Sequence, residues 1–304
     1  MTSATDRPKV QIGISIHNQN LAQIKQCIES CLGQQGVTLR IDVRIDGHDA
    51  TTPESRAWLK QVSLQYPNFY LEESDQNLGT YGSYQKIFAN SESEFLCQVD
   101  SDDALANGAL LLTTQALQNK PELGMAYTQC VEMDEEGFPL RIGKRQETPF
   151  SMENHLVNFM TFHLRMIRRS FFNEIGGFNT RLRYAGDYDV SLKLAEISDV
   201  IFINRPLYYY RLHSGSLSQV HSDQLNQEVE FICNQALERR GLSHRYKIKV
   251  NCDGRTYLIS LKDSGPSFKE EGDPSKPSGK VGVGALRRKV FYISPKEMHS
   301  NGAI

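Results

Sequence analysis

The sequence predicts an α/β fold, a mixed and largely parallel sheet flanked by helices on both faces, with a small β-hairpin appended near the C-terminus. Three observations point there. Over the first hundred or so residues, short apolar runs alternate with stretches whose apolar residues recur at helical spacing, the pattern of successive βαβ units. Near Met125 that alternation gives way to strand-like runs joined by a turn, so the later sheet becomes mixed. A chain of 304 residues, 39% hydrophobic and 23% charged, has enough apolar side chains for one large core or two modest ones.

The first strand is Val10–Ile16, followed by a helix on which Leu21, Ile24, Ile28, Cys31 and Leu32 share a face. Leu39–Asp46 gives a second strand. Thr52-Pro53 opens the next helix, with proline in the first turn, where its missing N–H leaves no hydrogen bond unmade. Asn68–Ser74 is a third strand, Gly79–Ser91 a short helix, and the run from Glu94 a fourth strand. A helix is expected over Ala104–Lys120, then a hairpin over Met125–Gly143 turned at Glu135-Glu136-Gly137. Phe162–Arg168 reads as a strand, Arg169–Phe178 as a short helix ended by glycines, and Asp187–Ser198 as another helix. Val200–Asn204 and Leu207–His213 read as separate strands, and Ser222–Arg240 as a long amphipathic helix closed by Gly241. Tyr246–Lys262 carries a hairpin signal, Asp253-Gly254 suiting a two-residue type I′ turn. Asp263–Lys280 is rich in Gly, Pro, Ser and charge, the composition of a flexible linker. The expected division is therefore a main domain over 1–242 and a hairpin with a flexible tail over 243–304.

Composition narrows the function. A net charge of −2 provides no basic field for nucleic acid or an anionic membrane surface. No apolar run is long enough to cross a bilayer, and the opening MTSATDRPK lacks the hydrophobic segment of a secretory signal, so a cytoplasmic protein is expected. Six cysteines without a CxxC pair read as reduced thiols. Cys27 and Cys31, four apart on a helix, could offer two zinc ligands, but no second pair stands nearby, and packing as small apolar residues is the better account.

The stretch EFLCQVDSDDAL, Glu94–Leu105, stands out because an apolar strand runs into Asp100, Asp102 and Asp103. Strand alternation would put Asp100 and Asp102 on one face. At roughly 7 Å and an effective dielectric of about 20, two such carboxylates repel by about 2–3 kcal/mol, so a cation is expected between them. Hard oxygen ligands favour Mg²⁺ or Mn²⁺ over zinc. The competing reading is that Asp102 or Asp103 caps a helix starting near Ala104. In such sheets ligands bind beyond the carboxyl ends of the strands, where Asp46 and Asp100 both fall. No GxxxxGK[ST], GxGxxG, GxSxG or HExxH motif occurs, so chemistry on a nucleoside diphosphate would depend on metal.

In order, ISIHNQN, RIDGHD, NLGTYGSYQK, VDSDDAL, IGGFNTRLRYAGDYDVSLKLAE and YYYRLHSGSLS resemble the motifs of family 2 glycosyltransferases, over roughly Val10–Ser218. The resemblance implies a GT-A (nucleotide-diphospho-sugar transferase) fold, Rossmann-like, with a nucleotide-sugar donor, a divalent metal and an inverting transfer to an acceptor hydroxyl. Carried over by position, Ile16 and His17 match the place where the nucleobase packs, and Asp46 the acid that reads it, its alternative being an ordinary turn residue before Gly47. Asn77 and Gly79 match NxG; the arginine that often follows is Tyr84 here. Asp100 and Asp102 match the DxD motif, with Ser101 between them in the donor site, and Asp102 is the implied direct metal ligand. Asp187 matches the general base, although the same position suits a helix N-cap, and the glutamate usual before it is Gly186. Asp189 is the weaker candidate. Arg211 and His213 match a segment near metal and diphosphate, giving Arg211 to the leaving group and His213 to the metal; a structural role for His213 stays open. Tyr208–Tyr210 could stack on sugars or pack in the core.

The leading expectation is an enzyme moving a hexose or amino sugar from a UDP-type donor to a saccharide or lipid-linked glycan, with no transmembrane segment and room for peripheral membrane association. The alternative is a degenerate relative that binds a nucleotide sugar or glycan without turnover, which Gly186 and Tyr84 favour. A nucleotidyltransferase would need a glycine-rich basic loop after the first strand, and IHNQN offers none.

Overall fold

The computed structural model describes residues 7–144, 150–213, 221–251, 254–261 and 290–293, the last as backbone only. One ten-stranded mixed sheet organises the chain. Its parallel half holds β1 (Lys9–Ile16), β2 (Thr38–Asp46), β3 (Phe69–Ser74) and β4 (Phe95–Gln98) in the order β3-β2-β1-β4. The connecting helices are α1 (Leu21–Leu32), α2 (Pro53–Gln65) and α3 (Thr80–Phe88). β8 (Arg165–Arg168) runs antiparallel to β4 and to β6 (Leu123–Met133), and β9 (Asp199–Arg211) lies parallel to β6. β12 (Val290–Ile293) adds a parallel strand outside β9.

Local chemistry sets the boundaries. α1 starts at a capping box: the Asn20 side chain accepts from the Gln23 amide at 3.0 Å while the Gln23 side chain accepts from the Asn20 amide at 3.1 Å. α2 starts where the Thr52 hydroxyl accepts from the Ser55 amide, with Pro53 first in the helix. The predicted hairpin forms between β6 and β7 (Pro139–Ile142), closed by the Gly137 amide donating to Asp134 O at 3.1 Å.

Strand alternation sends side chains into two cores, one on each face of the sheet. Phe95 and Cys97 of β4, and Ile201 and Ile203 of β9, face α1, α2 and α4 (Ala109–Gln118). Leu96, Met125, Tyr127, Val200 and Phe202 face α3, α6 (Arg169–Glu174), α7 (Gly186–Ile197) and α8 (Ser222–Arg239). The four-residue α5 (Asn154–Val157) closes the second core. Cys27 and Cys31 are fully buried in the first core, as small apolar residues would be.

Three expectations are corrected. The helix expected from Ala104 begins at Ala109, because Ala104–Leu105 instead form a short strand, β5, against Tyr209 and Tyr208 of β9. Asp102 and Asp103 therefore do not cap a helix. The two strands expected around Arg205-Pro206 are one, β9; the interruption is absorbed by register shifts against β6 between Thr128 and Cys130, with Pro206 opposite Gln129. The hairpin β10 (Tyr246–Val250) and β11 (Thr256–Ser260) pairs as expected, but Asn251 and Arg255 close it, leaving a three-residue loop with Gly254 at φ +79° rather than a two-residue turn. Asp253 lies outside the described residues, as does the linker expected over 263–280.

Beside α7, His155 is fully buried and hydrogen-bonded through both ring nitrogens. Its Nδ1 accepts from the Met160 amide at 3.3 Å, which leaves the ring proton on Nε2 to face the Ser191 hydroxyl at 3.0 Å. Burial, with Arg240 nearby, lowers its pKa to about 3. The unfolded chain therefore takes up a proton near pH 6.5 that the folded chain refuses, so His155 removes stability as pH falls from there, by up to about 1.4 kcal/mol per unit. In thermal melts between pH 6.5 and 4.5, His155→Asn should flatten the decline of Tm; an unchanged slope would contradict this account.

Candidate active site

The strand order puts the carboxyl ends of β2, β1 and β4 side by side, the end of the sheet where ligands bind in this architecture. The β1–β4 ladder extends to Val99, whose amide donates to Gly13 O at 3.1 Å. Asp100 to Asp103 then form a turn, closed by the Asp103 amide on Asp100 O at 3.0 Å. The expected strand alternation does not reach the aspartates; the turn gathers them instead.

Each of the three acids has its own environment. Asp100 Oδ1 accepts from the Tyr84 hydroxyl at 3.0 Å and from Gln98 Nε2 at 3.1 Å, and its Oδ2 lies 3.4 Å from His163 Nε2. Burial first, then the charge of Asp102, raises its pKa to about 6. Asp102, 20% exposed, holds His213 Nε2 at 2.9 Å, and this hydrogen bond raises the histidine's pKa. Asp103 is buried; its Oδ1 accepts the Arg211 amide at 2.8 Å, and burial with Asp102 and Asp100 nearby pushes its pKa well up. Asp100, Asp103 and His163 also present ligand atoms within 4.8 Å of one another, a spacing that could hold a metal ion.

Asp187, in the first turn of α7, is tied to this cluster from two sides. Its Oδ2 accepts from Arg165 Nη2 at 2.9 Å, and its Oδ1 accepts from the Tyr81 hydroxyl at 3.0 Å and from the Tyr188 amide at 2.9 Å. Tyr81 and Tyr84 stand three positions apart on α3, so one helix face carries a hydroxyl to Asp187 and another to Asp100. A second path runs Asp187, Arg165, His163, Asp100, with Arg165 Nη2 3.4 Å from His163 Nδ1. Asp189 turns away into an ion pair with Lys193 at 2.6 Å.

The residues expected on the nucleotide side divide by exposure. His17 is exposed, with Nδ1 3.2 Å from Asp46 O, and Asn77 closes the next loop by accepting the Gly79 amide at 2.8 Å. Asp46 is 1% exposed; its Oδ1 accepts the Leu78 amide at 2.8 Å, so it anchors the Asn77–Gly79 loop rather than turning outward. Ile16 is fully buried in the first core. The Ser101 hydroxyl donates to Ser15 O at 2.7 Å, pinning the acid turn to β1. Arg211 departs most from expectation: 2% exposed, its guanidinium donates to Asp102 O, Asp134 O, Glu135 O and Gln26, which locks two turns together and buries the group. Tyr208 is buried and stacked on His163 at 4.7 Å, a core role.

Both departures from the motif pattern have steric reasons. A Cβ at Gly186 would stand 2.5 Å from the Tyr81 ring, so the glutamate usual there is excluded by the tyrosine that donates to Asp187. Tyr84, in place of an arginine, is buried and serves Asp100 directly. Arg165, His163 and Tyr81 went unrecognised in the sequence. Arg165 and His163 lie inside an ordinary strand pattern, and only the antiparallel pairing of β8 with β4 and β6 brings them to the site.

Residues 11–176 match the family model described as Glycosyl transferase family 2. The chain belongs to that family. The chain is 27% identical over 241 residues to the chondroitin synthase of Escherichia coli, covering 79% of this chain and 34% of the relative, so it spans about a third of that protein's length. Its fold is that of GT-A glycosyltransferases. S. aureus TarS in complex with UDP-GlcNAc superposes with a TM-score of 0.59 at 14% identity, over 75% of this chain and 66% of that one. The mannosyltransferase PcManGT of Pyrobaculum calidifontis, in complex with GDP-Man and Mn²⁺, gives 0.58 at 15% identity, over 79% and 69%.

Gly79 stands at φ +75° with Arg183 Nη1 2.5 Å from where a Cβ would lie, whereas Gly108, also at φ +75°, has open space there. Gly108, at ψ 6°, is left-handed helical and its alanine variant should lose about 1 kcal/mol, whereas Gly79, at ψ 168°, lies where essentially only glycine fits, so Gly79→Ala should lose more from the backbone alone, with the displacement of Arg183 added to it. Urea unfolding midpoints compare the two; equal losses would contradict the crowding at Gly79.

Proposed function

We propose that this chain is an inverting, metal-assisted glycosyltransferase that moves a sugar from a nucleotide-diphospho-sugar, a UDP-sugar in this reading, to a hydroxyl of a saccharide or lipid-linked glycan. The carrying observation is that Tyr81 and Tyr84 of one helix reach Asp187 and Asp100, which holds a base candidate and the DxD acids around one helix end. The relatives support the reading: one is named a chondroitin synthase, and two structures of the same fold hold UDP-GlcNAc or GDP-Man with Mn²⁺.

Asp187 is the general base. Arg165 and Tyr81 fix its two oxygens, and with 12% of the side chain open, a carboxylate lone pair remains for the acceptor's proton as that hydroxyl attacks the anomeric carbon opposite the leaving group. Asp102, Asp100 and His213 form the metal set. Carboxylate oxygens and one imidazole, with Asp102 and His213 each about a fifth exposed and 2.9 Å apart, suit Mn²⁺ or Mg²⁺. Such a cation, when bound, neutralises charge building on the departing diphosphate. His17, Asn77 and Gly79 line the nucleotide side. Asp46, Ser101 and Arg211 support it from beneath, through the loop and turns they hold, and Ile16 packs in the core below.

On this reading residues 1–242 are the catalytic unit, 243–304 an appended hairpin and tail, and the setting cytoplasmic. Among the described residues no helix is long and apolar enough to cross a membrane. The competing idea of a degenerate binding protein loses its main support, since Tyr81 occupies the space that Gly186 leaves and serves Asp187.

Thermal melts with UDP- and GDP-sugars, with and without Mn²⁺, should show stabilisation by one nucleotide class only when metal is present, reaching about 2.7 kcal/mol at a hundredfold excess over Kd. Asp102→Ala should abolish the metal-dependent part. Asp187→Asn should keep the shift and lose turnover by about a hundredfold or more. Nucleotide binding indifferent to chelator, or turnover indifferent to Asp187→Asn, would overturn the proposal.

A further inference from the structure

Glu228 of α8 lies more than forty positions beyond Asp187 in sequence and matches none of the motifs above. Its carboxylate accepts three successive backbone N–H groups of the loop that enters α7: Arg183 at 2.8 Å, Tyr184 at 2.8 Å and Ala185 at 2.9 Å. Charge-assisted bonds of this kind are about twice as strong as neutral ones. Ala185, the residue that opens α7, has no side-chain oxygen to cap the helix, and Glu228 fixes the backbone of the loop that leads into it. The far end is held by the same helix: Arg239 and Arg240 pair with Glu196 at 2.6 and 3.1 Å. From Glu228 to Arg239 is about 16 Å along α8, matching the about 15 Å from Gly186 to Glu196 along α7. Ile232, Cys233, Ala236 and Leu237 are buried in the core between. α8 thus braces α7 along its length, with an anionic grip on the loop that ends two residues before Asp187.

We infer that Glu228 is a positioning residue for the transfer reaction, fixing the entry to α7 so that Asp187 meets the acceptor hydroxyl in register. The inference rests on the reading of Asp187 as the base. Glu228 touches no reacting atom; it acts through the backbone of Arg183–Ala185. Those three N–H groups need acceptors, and glutamine would turn an NH₂ donor toward at least one of them, leaving two donors opposed. Glu230, on the same helix but bonded to Lys249 and the Val250 amide of the hairpin, serves as the control.

The test measures release of nucleoside diphosphate from the nucleotide sugar that gives the largest Mn²⁺-dependent melting shift, using the full chain. Glu228→Gln should lower kcat about tenfold with donor KM little changed, while Glu230→Gln leaves kcat unaltered. In an Asp187→Asn background, Glu228→Gln should add less than about a twofold further loss, since a residue acting through Asp187 has nothing left to position. Unchanged kcat in Glu228→Gln, or losses that multiply in the double variant, would overturn the inference while leaving the base assignment standing. No turnover by the wild type with any nucleotide sugar, or full turnover by Asp187→Asn, would remove the base assignment itself and the role of Glu228 with it.

Discussion

The site is organised around one electrostatic constraint: four carboxylates, Asp100, Asp102, Asp103 and Asp187, are gathered at the end of a sheet and partly withdrawn from water. Alone they would repel one another by amounts comparable with the whole stability of a domain. The fold answers each separately. Tyr84 and Gln98 donate to Asp100, His213 to Asp102, a backbone amide to Asp103, and Arg165 with Tyr81 to Asp187. Asp100 and Asp103 both keep raised pKa values, from burial first and then from the neighbouring acids, so the cluster stays short of positive charge. A divalent ion brought with a nucleotide diphosphate would meet that shortage.

Much of this architecture is supplied by residues that never face a ligand. Arg211 ties the acid turn to the β6–β7 turn through backbone carbonyls, and Ser101 ties it to β1. Asp46 does the same for the Asn77–Gly79 loop. Three turns from three distant parts of the chain are thereby held as one surface, and the preorganisation that transfer chemistry requires lies in these buried bonds.

The fold class was legible because periodicity and turn chemistry act locally. The βα units, both hairpins and the long C-terminal helix follow from side-chain spacing. The failures share a cause: long-range pairing overrode a local signal. Ala104–Leu105 read as the start of a helix and became a strand because β9 was available to pair with it. Arg205-Pro206 read as a break and was carried by bulges against β6. In the site, the acids and Asp187 were visible from motif order, but whether a matched residue faces outward was not. Arg211 and Asp46 stand where the motifs put them yet point into protein, since neighbouring carbonyls and amides compete for the same groups. Arg165 and His163 carried no signal, because a polar residue in a strand declares its function only through what the adjacent strands bring beside it.

The fit of Tyr81 over Gly186 carries a consequence for how this lineage can change. The aromatic ring occupies the volume a side chain at 186 would need, so neither position can drift alone: bulk gained at one must be surrendered at the other. A chain with an acidic side chain before Asp187 would have to give up the ring on α3, and with it the hydroxyl that now donates to Asp187. Two chemically distinct versions of the pocket are thus separated by a paired substitution, with no comfortable intermediate between them.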